Sequence, residues 1–390
     1  MQKFLYRKLA KAANGVAVNP GQEVILDVDL ALAHDGTGPE LLKHWGNDKS
    51  RPVACRKVLF TLDHAFPAPS IKDRQFHKEF TEFSLELGCH LYNQGEGVLH
   101  QVVAEEESIW PGMIIVGADG HVATAGAFGA IAFAVTPQEL VPVLENGTFT
   151  TRVPEQLTIA INGELSGHAL PRDAALYLIS KLSAVIKGKA VALTGSLFSK
   201  LSLAGKMSIC NFLPEGGVKT AFILPEGESD EVDYYLEAAE IEPLIALPPN
   251  INTIMPVREA AGVALSMAIA GGCSAGRLED MKVIAHTLKG KKINPQVTFV
   301  VAPASRKILD AMESLGLTGQ IRDAGAVIVP PGCGSCPGKH FGLLDEKDVA
   351  VTTTIRNTPG RIGSVDAQIY LASPLTVALS AIHGQIAAPQ

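Results

Sequence analysis

From Val297 to Cys336 the chain moves from an apolar, β-branched stretch (Val297-Thr298-Phe299-Val300-Val301) through a helical pattern over residues 303–315. It then enters a second apolar stretch, Ala326-Val327-Ile328-Val329. A strand, a covering helix and another strand predict a mixed or parallel sheet with helices packed on it. Val24-Ile25-Leu26 and Ile114-Ile115-Val116 read as further strands, so the expected fold class is α/β. Sites in such folds form in loops at the carboxyl ends of strands. Here the last strand runs directly into Pro331-Gly332-Cys333-Gly334-Ser335-Cys336-Pro337-Gly338.

A third cysteine, Cys273, sits far upstream in Gly271-Gly272-Cys273-Ser274-Ala275-Gly276. Three thiolates can hold three corners of a cubane iron–sulfur cluster, whereas a complete protein cage needs a fourth. An iron without a protein ligand is open to substrate as a Lewis acid. Other readings of Cys-x-x-Cys are a redox dithiol, half of a zinc site, or two loop thiols with no joint role. The flanking Gly and Pro residues let a loop wrap closely around a bulky group. Pro337-Gly338 fits poorly with the helix that follows a thioredoxin-like dithiol.

The 390 residues, 47% of them hydrophobic, suffice for two or three domains with their own cores. The net charge of −7 comes without a polybasic run, so neither nucleic acid nor an anionic membrane is an expected partner. Six cysteines in this length are no disulfide framework and point to a reducing compartment, with the cytoplasm as the expected location. No apolar stretch is long enough to span a bilayer. Near the N-terminus Lys3, Arg7, Lys8 and Lys11 come without acids, as in a transit peptide. Phe4, Leu5 and Leu9, however, fall at helical spacing and predict a short amphipathic helix. There is no tandem repeat. Breaks near 150–153 and 225–235, the second marked by the acidic run Glu226–Asp233, predict three units: 1–151, 152–233 and 234–390.

Asp63-His64 follows the strand-like Val58-Leu59-Phe60, and a carboxylate beside an imidazole can set its tautomer and poise it for proton transfer. Asp119-Gly120-His121 repeats the theme after Ile114–Val116, and His100 is a third candidate. The glycine-rich Ala125–Ala130 that follows lacks dinucleotide-binding spacing. Arg356 and Arg361, just beyond the cysteine loop, suit a substrate with several carboxylates. Glu215, in an otherwise apolar stretch, can act as general acid or base, or stand near a metal. For each of these residues an ordinary structural role remains the alternative.

Taken in order, these segments resemble the large subunit of the aconitase family, of the 3-isopropylmalate dehydratase and homoaconitase type. The resemblance runs nearly end to end. It takes in Val18–Gly21, His34-Asp35-Gly36-Thr37, Asp63-His64, Gly97–Gln101, Pro111–His121, Cys210-Asn211 with Glu215, Cys273, the Cys333/Cys336 loop, Arg356–Arg361 and Tyr370–Pro374. It implies three α/β/α domains around a central cluster. Cys273, Cys333 and Cys336 would ligate a [4Fe–4S] cluster. Asp63, His64, Asp119, His121 and His100 would manage the proton of the leaving hydroxyl, and Glu215 water at the iron. Arg356, Arg361, His34 and Asn211 would bind substrate. The implied reaction is reversible dehydration of a hydroxy di- or tricarboxylate.

The family's swivelling domain carries a serine base in a Gly-Ser-Ser-Arg-like loop. No such loop is present, so a separate small subunit is the expected partner. The chain also departs from the family pattern at Gly120 (usually Ser), at Ile355 (usually Asn) and at Cys273-Ser274-Ala275 (usually Cys-Thr-Asn). The resemblance therefore implies a less polar pocket and an unusual substrate. A non-catalytic iron–sulfur sensor or binding module is the alternative function; a zinc-dependent hydrolase or a redox dithiol is a third.

Overall fold

The structure, a computed structural model, describes residues 2–46, 51–165 and 167–389. It contains three large sheets, two all-parallel and one mixed, whose parallel strands are wound in the same way. In the five-stranded sheet the order is His90–Tyr92, Val58–Thr61, Leu30–His34, Ile114–Gly117, Ile131–Ala134, all parallel. The chain starts in the middle, builds outward on one side, then crosses over and builds on the other. The four-stranded sheet repeats this with Thr220–Ile223, Ala190–Thr194, Gln156–Asn162 and Tyr234–Glu237.

The seven-stranded sheet repeats it again. Its parallel strands run Gln368–Ala372, Val349–Thr352, Met267–Gly271, Thr298–Ala302, Val327–Ile328. Antiparallel Leu244–Ala246 and Ile254–Pro256 extend its Gln368 edge. Where the winding reverses, connections leave on opposite faces and a crevice opens at the carboxyl ends of the two central strands. All five residues of Leu30–His34 and of Met267–Gly271 are buried, as covering on both faces requires.

The expected elements are present with shifted ends. The expected helix over 303–315 is shorter, Arg306–Ser314, because the Ser305 hydroxyl caps it by accepting from Ile308 N at 3.2 Å. The strand expected over 326–329 is reduced to Val327–Ile328. Val24–Leu26 lies in Glu23–Asp27, which pairs antiparallel with Thr148–Arg152 outside the three large sheets.

The N-terminal helix spans Phe4–Ala12 and buries Phe4, Leu5 and Leu9. The acidic run at 226–233 is its seat rather than a free linker. Both Asp230 carboxylate oxygens accept from Phe4 N, at 2.9 and 3.0 Å, and Asp233 pairs with Lys3 at 2.7 Å. Tyr234–Glu237, beyond the boundary expected at 233, pairs with Gln156–Asn162 and completes the four-stranded sheet. The glycine-rich Ala125–Ala130 segment lies on a 3₁₀ turn over Val122–Phe128. A Cβ at Gly126 would stand only 1.8 Å from Ala221 O, so only glycine allows the first sheet's layer to close on the second. Among the described residues no helix is long and apolar enough to cross a membrane.

Candidate active site

Six loops converge from the carboxyl ends of parallel strands. Leu30–His34 ends at His34, and Val58–Thr61 leads to Asp63-His64. Ile114–Gly117 leads to Asp119–His121, and Met267–Gly271 to Cys273. Val327–Ile328 leads to Cys333 and Cys336, and Val349–Thr352 to Ile355-Arg356. The switch points of the five- and seven-stranded sheets thus face one cavity of about 270 Å³, in which His34, His64, His100, Asp119, His121, Arg356, Arg361 and all three cysteines form the wall. Gly271 makes the turn into Cys273 possible. Its φ is +118°, and a Cβ there would lie 1.9 Å from Ala302 O.

Asp119 gathers three imidazoles. His34 Nε2 lies 2.9 Å from Oδ2, His100 Nε2 lies 2.9 Å from Oδ1, and His121 Nδ1 lies 3.4 Å from Oδ1. His34 Nδ1 accepts from Gly36 N at 3.0 Å, which leaves the proton on Nε2 to donate to Asp119. Burial opposes ionisation of Asp119, but its histidine partners outweigh burial and hold it well below the usual carboxylate range. On the far side, His121 Nε2 meets Glu215 Oε1 at 2.9 Å. Glu215 in turn accepts from Arg356 Nε at 2.9 and 3.0 Å. Burial would deprotonate His121, but Asp119 and Glu215 raise it to about 9.

His64 stacks on His34 with ring centroids 3.9 Å apart, and its Nδ1 lies 2.7 Å from Asp63 Oδ1. Burial pulls its proton affinity down, yet Asp63 and Asp35 raise the imidazole to about 9. Both imidazoles thus favour the protonated form at neutral pH; His64 keeps its Nε2 side toward the cavity, whereas both ring nitrogens of His121 are held by Asp119 and Glu215. His64 also faces Cys333, with ring nitrogens 3.7 and 3.9 Å from Sγ.

The cysteines differ in surroundings. Burial pushes the Cys273 thiol up to about 12 and Cys333 well above its ordinary value. Burial acts on Cys336 too, but Arg361, whose Nη2 is 3.5 Å from Sγ, outweighs it and holds that thiol low. All three are free. One tetrahedral zinc would hold thiolates roughly 3.8 Å apart, from Zn–S bonds near 2.3 Å. Among the described residues the groups close enough for one ion are His34, Asp35, Asp63 and His64, and His100, Asp119 and His121; the cysteines form no such group. They surround a cavity wider than one ion.

Of the residues expected in the site, Asp63, Glu215 and Asn211 stand behind the wall instead of on it. Asn211 is fully buried, donates to Thr124 Oγ1 at 2.8 Å and contacts Cys273 with its side chain. Ile355 lines the cavity but is 1% exposed and belongs to an apolar core, and its backbone N–H is directed at Cys336. Its side chain therefore answers to that core as well as to a ligand. Gly120 has a reason of its own: a Cβ there would come within 3.0 Å of Arg356 Nη2.

Sequence reasoning missed Asp35. It is buried, and its carboxylate accepts from the backbone N–H of Asp63, His64 and Ala65 at 3.0, 2.9 and 2.8 Å, with His77 Nε2 at 3.3 Å. It also missed Arg172 and Arg277, which are buried near Cys273. The adjacency of Asp35 to His34 was the one available signal.

The sequence profile of the Aconitase family (aconitate hydratase) matches residues 5–246 and 250–384. A probable methanogen homoaconitase large subunit from Methanothermobacter thermautotrophicus is 35% identical over 98% of this chain and 96% of its own. A 3-isopropylmalate dehydratase large subunit from Methanopyrus kandleri is 35% identical over 96% of each. The crystal structure of Thermococcus kodakaraensis aconitase X in its holo-form shares the fold, with a TM-score of 0.53 at 14% identity over 85% of this chain and 83% of that one. Profile and relatives match along nearly the whole length and the fold is shared: the chain belongs to the aconitase family.

Proposed function

We propose that this chain is the catalytic large subunit of an iron–sulfur hydro-lyase that reversibly dehydrates a hydroxy di- or tricarboxylate of the 3-isopropylmalate or homoaconitate kind. The observation that carries the reading is one cavity bordered by three free cysteines, two carboxylate-held protonated imidazoles and two arginines. A pure sensor of iron has no use for the acids and arginines. A [4Fe–4S] cluster fits the donor set: three thiols around a space too wide for one ion, with Arg361 at Cys336 and Asn211 at Cys273 as donors toward sulfur. Cys273, Cys333 and Cys336 would hold it. When bound, it supplies Lewis acidity that makes hydroxide a tolerable leaving group.

The remaining work falls to the chain's own residues. Arg361, and the Arg356 Nη groups left free by its Nε bonds to Glu215, bind substrate carboxylates. His64, held by Asp63, donates its proton to the departing hydroxyl, and His121, between Asp119 and Glu215, handles the resulting water with Glu215. His34 and His100 fix Asp119. Removal of the carbon-bound proton falls to a serine base on a separate small subunit. The chain acts in a reducing compartment such as the cytoplasm.

The test is anaerobic reconstitution with iron and sulfide, followed by addition of a small subunit from the same source. An ultraviolet assay then follows the conjugated alkene formed from alkylmalates and from homocitrate. A brown protein that dehydrates one of these only with its partner supports the reading. Stoichiometric zinc without iron, or full turnover by this chain alone, refutes it.

A further inference from the structure

Arg172 and Arg277 are 1% and 3% exposed. Among the described residues no carboxylate oxygen lies within 4.0 Å of either guanidinium. Arg172 stacks on the Phe212 ring, 3.7 Å from its centroid, and donates through Nη2 to Thr353 O, at 3.1 Å, and to Thr354 O. Its Nε and Nη1 have no partner. Arg277 donates to Cys273 O at 2.7 Å and to Ser274 O at 3.2 Å, and its Nε has no partner. A buried cation without a contacting carboxylate is costly, and two together are more so.

The acids nearest in sequence act on them electrostatically but make no side-chain contact with either guanidinium. Asp173 spends its oxygens on Leu170 N and Leu244 N, at 2.8 and 2.9 Å, and Asp280 accepts from Arg277's own N–H at 3.1 Å. Burial also raises both carboxyls, Asp173 to about 7 and Asp280 to about 6, so that at neutral pH Asp173 is only partly charged while Asp280 remains largely so. Asp173 is the foremost charge acting on Arg172 and Asp280 on Arg277, and Cys273 follows for both, joined to Arg277 through its own carbonyl. The Ser274 hydroxyl donates to the same Thr353 carbonyl as Arg172, so one hydrogen-bonded unit joins the Cys273 loop to the strand end carrying Arg356.

We infer that Arg172 and Arg277 are positioning residues that supply the buried positive charge balancing the thiolate-bound cluster at its Cys273 corner, and so set its reduction potential. The inference rests on the proposed iron–sulfur reading. Net charge and hydrogen bonding around a cluster are main determinants of its potential. Two fixed cations in a dry surrounding raise it, because reduction adds negative charge beside them.

The experiment is a redox titration of the reconstituted cluster followed by electron paramagnetic resonance, with no turnover involved. Arg172→Met keeps the stack on Phe212 but removes the charge, and its midpoint potential should fall below that of the parent. Arg172→Lys keeps the charge but loses the paired bonds to Thr353 and Thr354, and its potential should stay near the parent value. Arg277→Met should shift the potential in the same direction as Arg172→Met, and it decides the question if Arg172→Met does not fold. Unchanged potentials in the methionine variants overturn the inference while leaving the cofactor intact. An equal shift in Arg172→Lys also overturns it, since bracing rather than charge would then be at work. A parent protein that binds no iron overturns the underlying reading instead, and the inference with it.

Discussion

Asp35→Asn is nearly isosteric and should still be damaging, because every polar group facing this carboxylate can only give or share a proton. Oδ1 accepts from Asp63 N and His64 N at 3.0 and 2.9 Å. Oδ2 accepts from Ala65 N at 2.8 Å and meets His77 Nε2 at 3.3 Å. In the variant the amide oxygen keeps the first two bonds in a weaker, neutral form. The NH2 group then confronts the Ala65 N–H, donor against donor. Losing one bond to a charged acceptor costs about 1.5–3 kcal/mol, and a buried N–H left without an acceptor costs about 1–3 kcal/mol. Together these give an expected destabilisation of about 2.5–6 kcal/mol. Much of it should be local, since the three N–H groups belong to the segment that aims His64. Hydrogen exchange should accelerate at residues 63–65, and kcat should fall more than KM rises, because an acid is misplaced while the arginines remain. Protection of Asp63–Ala65 equal to the parent, together with unchanged kcat, would refute the argument that Asp35 builds this loop. The same carboxylate carries a pH consequence. Burial opposes its ionisation, yet His77, His64 and the Ala65 N–H outweigh burial and lower its pKa. Its stabilisation is present above the ordinary aspartate range, near pH 4, and disappears as pH falls through the lower folded value.

Three further outcomes are expected. Arg361→Lys keeps a charge but not the planar fork, and should cost roughly 2–5 kcal/mol of substrate or transition-state binding while the cluster still assembles; steady-state kinetics beside iron analysis would check both halves, and normal kinetics would remove Arg361 from the substrate. His64 and His121 are each raised to about 9, so their contribution as protonated donors is complete at neutral pH and should be lost as pH climbs through about 9; a kcat that stays flat to about pH 10.5 in a pH–rate profile would contradict their role as acids. Gly120→Ser puts a Cβ within 3.0 Å of Arg356 Nη2, so Arg356 must yield by a few tenths of an ångström; KM for the preferred substrate should rise and preference should move toward a more polar one, whereas unchanged preference across alkylmalates and homocitrate would show that this position does not select substrate.

Much of the candidate site was legible because its residues sit where parallel strands end. A short apolar run followed by Asp-His, or by Cys-Gly-Ser-Cys between prolines, carries its own punctuation, and backbone geometry sends such loops to the same edge of a sheet. The N-terminal helix was equally plain from Phe4, Leu5 and Leu9, since spacing along a helix is a local property. Local signals could not say which strands become neighbours. The winding that begins each set of parallel strands in its middle brings His34 beside Asp119, and Cys273 beside the strand that delivers Arg356. Nor could they assign the acidic run at 226–233, which reads as a break between units in one dimension but whose charges meet Phe4 N and Lys3 in three. Asp35 and Arg172 are the sharpest cases. A carboxylate next to His34, and an arginine in the first turn of a helix, read as ordinary polar residues in the one-dimensional pattern. Only when residues 28 and 181 positions away in sequence close around them do they become, respectively, the acceptor that shapes the Asp63-His64 loop and a buried cation bonded to Thr353. The sequence alone determined which chemical groups were present and which loops would carry them; their pairing, burial and charge state depend on contacts between distant segments, and these exist only in the folded chain.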